Sequence, residues 1–249
     1  MAITFYKFGE AFGLPDPSPF CLKLESFMRI NDIAFELGEF DAKSTLGKAP
    51  KKKIPFVVFE NGEKMGDSTL IIDRLSKDKN IDMDAPLTAS QCAQSHAFRR
   101  MLDESTYFCG LYSRWIDDNG WAVVKPLFFG NMGMPGFLSR IISNKIRGDV
   151  IKKAVGQGIA RHTKEEVYSH GAQDFQSLSG VLGGDQWFFG TDTPNLLDLW
   201  AHAYVIEAIH PTINNALKDS VLKMDNLVQH AYRLHMHIYD QDLQQKNPA

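Results

Sequence analysis

The chain has 249 residues, 44% of them hydrophobic and 23% charged, with a formal net charge of −3. At roughly 100 to 200 residues per domain, that length points to two unequal domains, each able to bury a core. So ordinary a balance leaves no basic face for DNA or RNA, and the one tight basic run, Lys51 to Lys53, reads either as a solvated strand edge or as an anion clamp. Cys21, Cys92 and Cys109 are irregularly spaced, giving neither a disulfide framework nor a C-x-x-C zinc site, and they fit a reducing, cytoplasmic setting. The opening residues Ala2 to Tyr6 read as a strand rather than a signal peptide. Trp121 to Leu138 is the most apolar later stretch, but Lys125, Pro126, Pro135 and glycines 130, 133 and 136 interrupt it, so no transmembrane segment is expected.

In chain order, Ile3 to Phe8 is β-prone and leads through a Gly- and Pro-rich loop to a helix whose apolar stripe is Phe20, Cys21, Leu24, Phe27 and Met28. A short strand is expected over Ala34 to Phe40, then a long loop, then a buried strand Ile54 to Phe59. Asn61-Gly62 is a hairpin turn that pairs Lys64 to Met65 back antiparallel, and Asp67-Ser68 opens a helix running to Leu75. This βαβ then ββα order in about eighty residues is the thioredoxin-like arrangement, a mixed sheet with helices on its faces. Pro55 opens a strand where that fold places a cis bond, with trans as the alternative. Asn80 to Pro86 reads as a linker, and beyond Leu87 the pattern is helical: Ser90 to Asp117, Thr163 to Leu182 behind a Thr163/Glu166 capping box, Asn195 to Ile209 behind Asn195 and Asp198, and Leu222 to Asp240. Gln244 to Ala249 is expected to fray.

Ser18-Pro19-Phe20-Cys21 begins the first helix, with Ser18 placed to cap and Pro19 at the first helical position. The same end of a helix offers free N–H groups and a positive dipole end, so a Ser18 hydroxyl there suits a bound thiolate as well as it suits a cap. Cys21 falls on the apolar stripe, which reads as a buried thiol. Asp67-Ser68 is again either a cap or the seat of a carboxylate ligand. Tyr107, Tyr112 and Trp115 sit at mixed spacings on one helix and divide between core and an apolar pocket. His235 and His237 lack the partners for a metal site, and Gly156-Gln157-Gly158 lacks the strand and third glycine of a dinucleotide loop, reading instead as a helix break before Thr163.

Ser18-Pro19-Phe20-Cys21, Lys53-Ile54-Pro55, Gly66-Asp67-Ser68 and Pro194 to Asp198 together resemble a glutathione transferase, and Gly156 to Glu166 resembles the branch with failed axon connections proteins and metaxins. The resemblance implies a thioredoxin-like, glutathione-binding domain over 1–80 and a larger all-helical domain over 87–249 that shapes a second-substrate pocket. It implies that Ser18, or Cys21 in a thiol-disulfide variant, handles the glutathione thiol. Ile54 before Pro55 would pair with the tripeptide, Lys53 would add a charge for a terminal carboxylate, and Asp67 and Ser68 would hold the γ-glutamyl end. The loop from Gly9 to Pro17 is longer than in many transferases. The expected activity is conjugation or exchange of glutathione on a small apolar electrophile, with a homodimer plausible for the family. The alternative is a non-catalytic adaptor in protein assembly or at a membrane, working through Trp121 to Leu138.

Overall fold

The computed structural model describes residues 3–39, 42–130, 135–240 and 243. The expected fraying of Gln244 to Ala249 and residues 131–134 of the Trp121 to Leu138 stretch lie outside them. The N-terminal part carries β1 (Ile3–Tyr6), α1 (Pro19–Ile30), β2 (Phe35–Leu37), α2 (Ala42–Lys48), β3 (Phe56–Val58), β4 (Lys64–Gly66) and α3 (Ser68–Lys79). The sheet order is β2-β1-β3-β4, with β2 parallel to β1 and the other two pairs antiparallel. It is a thioredoxin-like sheet. Ile3 and Phe5 alternate inward from β1, and Phe5 meets Phe35 edge to face.

The rest is helical: α4 (Ala89–Met101), α5 (Tyr107–Leu111), α6 (Asp118–Phe129), α7 (Gly136–Gln157), α8 (Lys164–Leu182), α9 (Leu196–Ile209), α10 (Ala216–Val221) and α11 (Asp225–Tyr239). Its hub is α9, whose residues from Leu197 to Glu207 are all buried; a helix without a polar face has to sit inside the others. The Asn195/Asp198 capping box forms as the sequence indicates, and Asp198 also accepts from the Phe188 N–H (2.9 Å) and sits 2.7 Å from His230 Nε2. The Thr163/Glu166 box at α8 forms as well.

Four local readings are corrected. The stretch expected as a long loop before Ile54 contains α2, whose single large apolar residue, Leu46, shows no periodicity. The helix expected over Ser90 to Asp117 is continuous but widens twice into π-helix, at Leu102–Thr106 and Tyr112–Ile116. Pro126, expected to interrupt the Trp121 to Leu138 stretch, lies inside α6 near its end, where the carbonyl without its N–H partner belongs to the exposed Ala122. The last predicted helix starts at Asp225, not Leu222, and is preceded by α10, capped by the Asn215 side chain (2.9 Å to Lys218 N).

The two parts are joined by an ion pair whose lysine is buried and whose carboxylate is largely shielded. Lys23 of α1 is fully buried, its ammonium 2.7 Å from both carboxylate oxygens of Asp103 and 4.2 Å from the Trp200 ring centre. Asp103 also accepts from Trp200 Nε1 (3.0 Å) and Tyr204 OH (2.9 Å), both on α9. Burial lowers the Lys23 pKa to about 8, against the pull of Asp103 that favours its charged form. Lys23→Met keeps the volume but leaves the carboxylate without its counter-charge, so it should destabilise by about 3 to 5 kcal/mol. The check is urea unfolding, in which the midpoint should fall while the slope is unchanged.

Candidate functional site

The strand register gathers three loops at one end of the sheet. Tyr6 pairs with Phe56 and Phe56 with Gly66, so the segment leaving β1, the Ile54-Pro55 step entering β3 and Asp67-Ser68 leaving β4 share that end. The Ile54-Pro55 bond is cis, with Ile54 buried. The start of α3 also meets α1, since Lys23 Nζ lies 3.5 Å from Thr69 Oγ1.

The long loop into α1 is built around one carboxylate. Asp16, fully buried between Pro15 and Pro17, accepts from the N–H groups of Phe8 (2.9 Å), Gly9 (3.0 Å) and Ser18 (2.9 Å). Gly13 takes φ +73° where an added Cβ would come 3.3 Å from the His210 ring, whose Nδ1 sits 2.8 Å from the Phe12 carbonyl. Across the domain junction Arg114 donates to the Pro17 carbonyl (2.6 Å) and pairs with Glu207 of α9.

Ser18 holds the N-cap position with extended backbone, and Pro19 follows at the first helical position, but the expected side-chain capping bond is not made. Its hydroxyl acts instead on the neighbouring Cys21 thiol, pulling that pKa down against burial. Cys21 is fully buried; burial and the neighbouring Asp16 push its thiol well above the ordinary range, which keeps it protonated. Asp67 caps α3, accepting from Thr69 (3.2 Å) and Leu70 (3.4 Å), and adopts φ +86°. Burial acts to raise the Asp67 pKa, but Lys51, 3.2 Å away, and those N–H groups outweigh it and hold the carboxyl below its usual value. Ser68 is buried, and Lys53 is exposed; the lysine beside Asp67 is Lys51.

A pocket of about 280 Å³ lies between this end of the sheet and the helices. Phe8, Pro17 and Ser18 form one wall, Tyr107 and Trp115 the other, with Arg114 and Glu207 as its charged pair. Of the three aromatic residues expected to divide between core and pocket, Tyr107 and Trp115 line this cavity, whereas Tyr112 is not among the lining residues and meets Tyr168 edge to face. Arg114, Glu207 and Asp16 were not legible as site residues. The contacts of Arg114 lie 93 and 97 positions away in the chain, although Pro-Asp-Pro-Ser-Pro did carry a turn signal at Asp16. Among the described residues no cluster of His, Cys, Asp and Glu could hold a metal, and no helix is long and apolar enough to cross a membrane.

The family model of the glutathione S-transferase N-terminal domain matches residues 19–120, and that of the C-terminal domain matches 171–234. The isoprene-epoxide glutathione S-transferase of Rhodococcus sp. (strain AD45) is 31% identical over 189 residues, covering 76% of this chain and 79% of that protein. The chain belongs to the glutathione S-transferase family. Within this family it falls in the branch of the failed axon connections and metaxin proteins. Failed axon connections of Drosophila melanogaster is 32% identical over 93% of this chain, and metaxin-3 of Danio rerio 28% identical over 71%. This chain spans 57% of the length of each of those two. The transferase fold is shared with glutathione transferase F7 from Populus trichocarpa, at TM-score 0.59 and 12% identity, covering 98% of this chain and 97% of that one.

Asp16 supplies a pH test of how the loop into α1 is held. Burial pushes its pKa up to about 7 from 3.8, against the three N–H groups that favour the ionised form. The folded state therefore keeps this proton to higher pH than the unfolded chain, so the group's contribution to stability should fall as pH rises from about 4 to 7 and level off above. Asp16→Asn should abolish that slope and, by turning one acceptor into a donor, cost about 1 to 3 kcal/mol. Urea midpoints of both proteins at each pH unit across the window give the comparison.

Proposed function

We propose that the chain binds glutathione at the gathered end of the sheet and transfers it to a small apolar electrophile held in the adjoining pocket. The single observation that carries this reading is the juxtaposition of Ser18, at the first turn of α1, with a largely apolar pocket that it helps to line. In this reading the Ser18 hydroxyl and the N–H groups of α1 stabilise the thiolate, since Ser18 Oγ is not spent on capping the helix. The backbone of Ile54 pairs with the tripeptide, and Asp67 at the start of α3 receives the γ-glutamyl ammonium. Ser68 contributes its place at that helix start. Lys51 rather than Lys53 supplies the nearby positive charge, and Cys21, buried and protonated, takes no part. Tyr107 and Trp115 contact the electrophile.

The relative's name makes an epoxide a natural electrophile to try. The glutathione sulfur would bond to a ring carbon, the carbon–oxygen bond would break, and the alkoxide would take a proton from water. A reading without turnover, as an adaptor in protein assembly, is favoured by the metaxin matches, one of which is the mitochondrial outer membrane import complex protein METAXIN of Arabidopsis thaliana. A cytoplasmic setting belongs to the first reading.

Calorimetric titration with glutathione should give saturable binding, and adding an epoxide should give a conjugate detectable by mass. Ser18→Ala should then lower kcat about 10- to 1,000-fold, on the scale of losing one stabilising hydrogen bond to the reacting atom, with an unfolding midpoint close to that of the parent. Equal turnover in Ser18→Ala removes Ser18 from the chemistry. Absence of glutathione binding in the intact chain leaves the adaptor.

A further inference from the structure

Helix α7 is held firmly by one face and leaves the other bare. Ser143 and Ala154 are fully buried on the inner side, and Ile142 packs against the cluster formed by Trp121, Val124, Phe129 and Ile213. Arg147 ties it down by donating to the carbonyls of Trp115 and Ile116, both at 2.8 Å, while Ser139 donates to the Phe129 carbonyl (2.9 Å) and brings the end of α6 beside the first turn of α7. At 100° per residue, positions 137, 141, 145, 148, 152 and 155 form one outward stripe. They are Phe137, Ile141, Lys145, Gly148, Lys152 and Val155.

The two halves of that stripe differ in chemistry. Phe137 is 65% exposed and Ile141 61%, with Leu138 on the flank at 40% and Leu127 of α6 at 45%. Large aliphatic and aromatic side chains this exposed and this close together mark a contact surface, because single scattered ones are what a solvated face shows. Farther along lie Lys145 and Lys152, flanked by Lys153, with Arg140 beside the apolar end, and all four are exposed. Against them stands exposed Asp149, so the outer side of α7 carries 4 − 1 = +3 on a chain whose formal charge is −3. A second copy of the chain is a weaker fit, since a two-fold axis at Phe137 and Ile141 buries the apolar half against itself and gives the lysines no anionic partner. A flat anionic lipid surface satisfies both halves: apolar side chains enter the headgroup boundary, and lysines alongside reach the phosphates on their flexible stems.

We infer that the outer stripe of α7 docks the protein on an anionic membrane surface, with Phe137, Leu138 and Ile141 inserted and Lys145 and Lys152 paired to lipid headgroups. This requires neither glutathione nor turnover, so it stands or falls apart from the function proposed above. The test is flotation of the full chain with phosphatidylcholine vesicles, with and without phosphatidylserine, at low and at physiological salt. The chain should float with the phosphatidylserine vesicles and release as salt rises. Lys145→Gln with Lys152→Gln should weaken binding about 25-fold, at about fivefold per cation, and Phe137→Ser with Ile141→Ser should abolish it. These positions are on the surface, so circular dichroism and the unfolding midpoint should match the parent. No flotation with anionic vesicles, or flotation that neither double variant changes, would overturn the proposal. So would light scattering showing a dimer that Phe137→Ser with Ile141→Ser dissolves, or retention on polyglutamate by a chain that ignores vesicles.

Discussion

The Lys23–Asp103 pair fixes what can meet what in this molecule. Lys23 stands on the helix that begins with Ser18, and Asp103 on the long helix that supplies the far wall of the pocket. Its carboxylate is also held by Trp200 and Tyr204 of the hub helix. Two charges in so apolar a place are costly to desolvate, and removing either alone strands the other. The geometry of the pocket therefore depends on a contact outside it, and the sheet and the helices cannot slide past one another without breaking hydrogen bonds at the Asp103 carboxylate.

Much of the architecture was readable because local signals agreed. Asn61-Gly62 announced the hairpin, and Asn195 with Asp198 and Thr163 with Glu166 announced two helix starts. What escaped reading had weak or misleading local signals: α2 and α10 are short, with little apolar period, and Pro126 looks like an interruption although the helix passes through it. Glycine and proline report the backbone freedom of a segment, whereas burial on the rest of the chain decides whether that freedom is used.

The pocket was harder still. On a regular helix Tyr107 and Trp115 drift apart around the axis, which is why their spacing left core and pocket open. The π-segment at Tyr112–Ile116 closes its hydrogen bonds five residues apart instead of four, and the smaller rotation per residue brings Trp115 round toward the side of Tyr107. Nothing in composition or periodicity marks such a widening. Ser18 was identifiable as the first-turn residue, but the group that orders its loop, Asp16, acts through backbone N–H groups that are alike in every sequence.

Arg114 closes the account from the other side. One guanidinium holds the carbonyl immediately before Ser18 and, through Glu207, the hub helix as well. A molecule that pushes on Arg114 from within the pocket consequently pulls on the first turn of α1, and one that reshapes that turn is felt by Arg114. Under the function proposed above, occupancy of the pocket and of the first turn of α1 would be thermodynamically linked, and whichever way one guest alters the grip on the other, the reverse effect would have equal size.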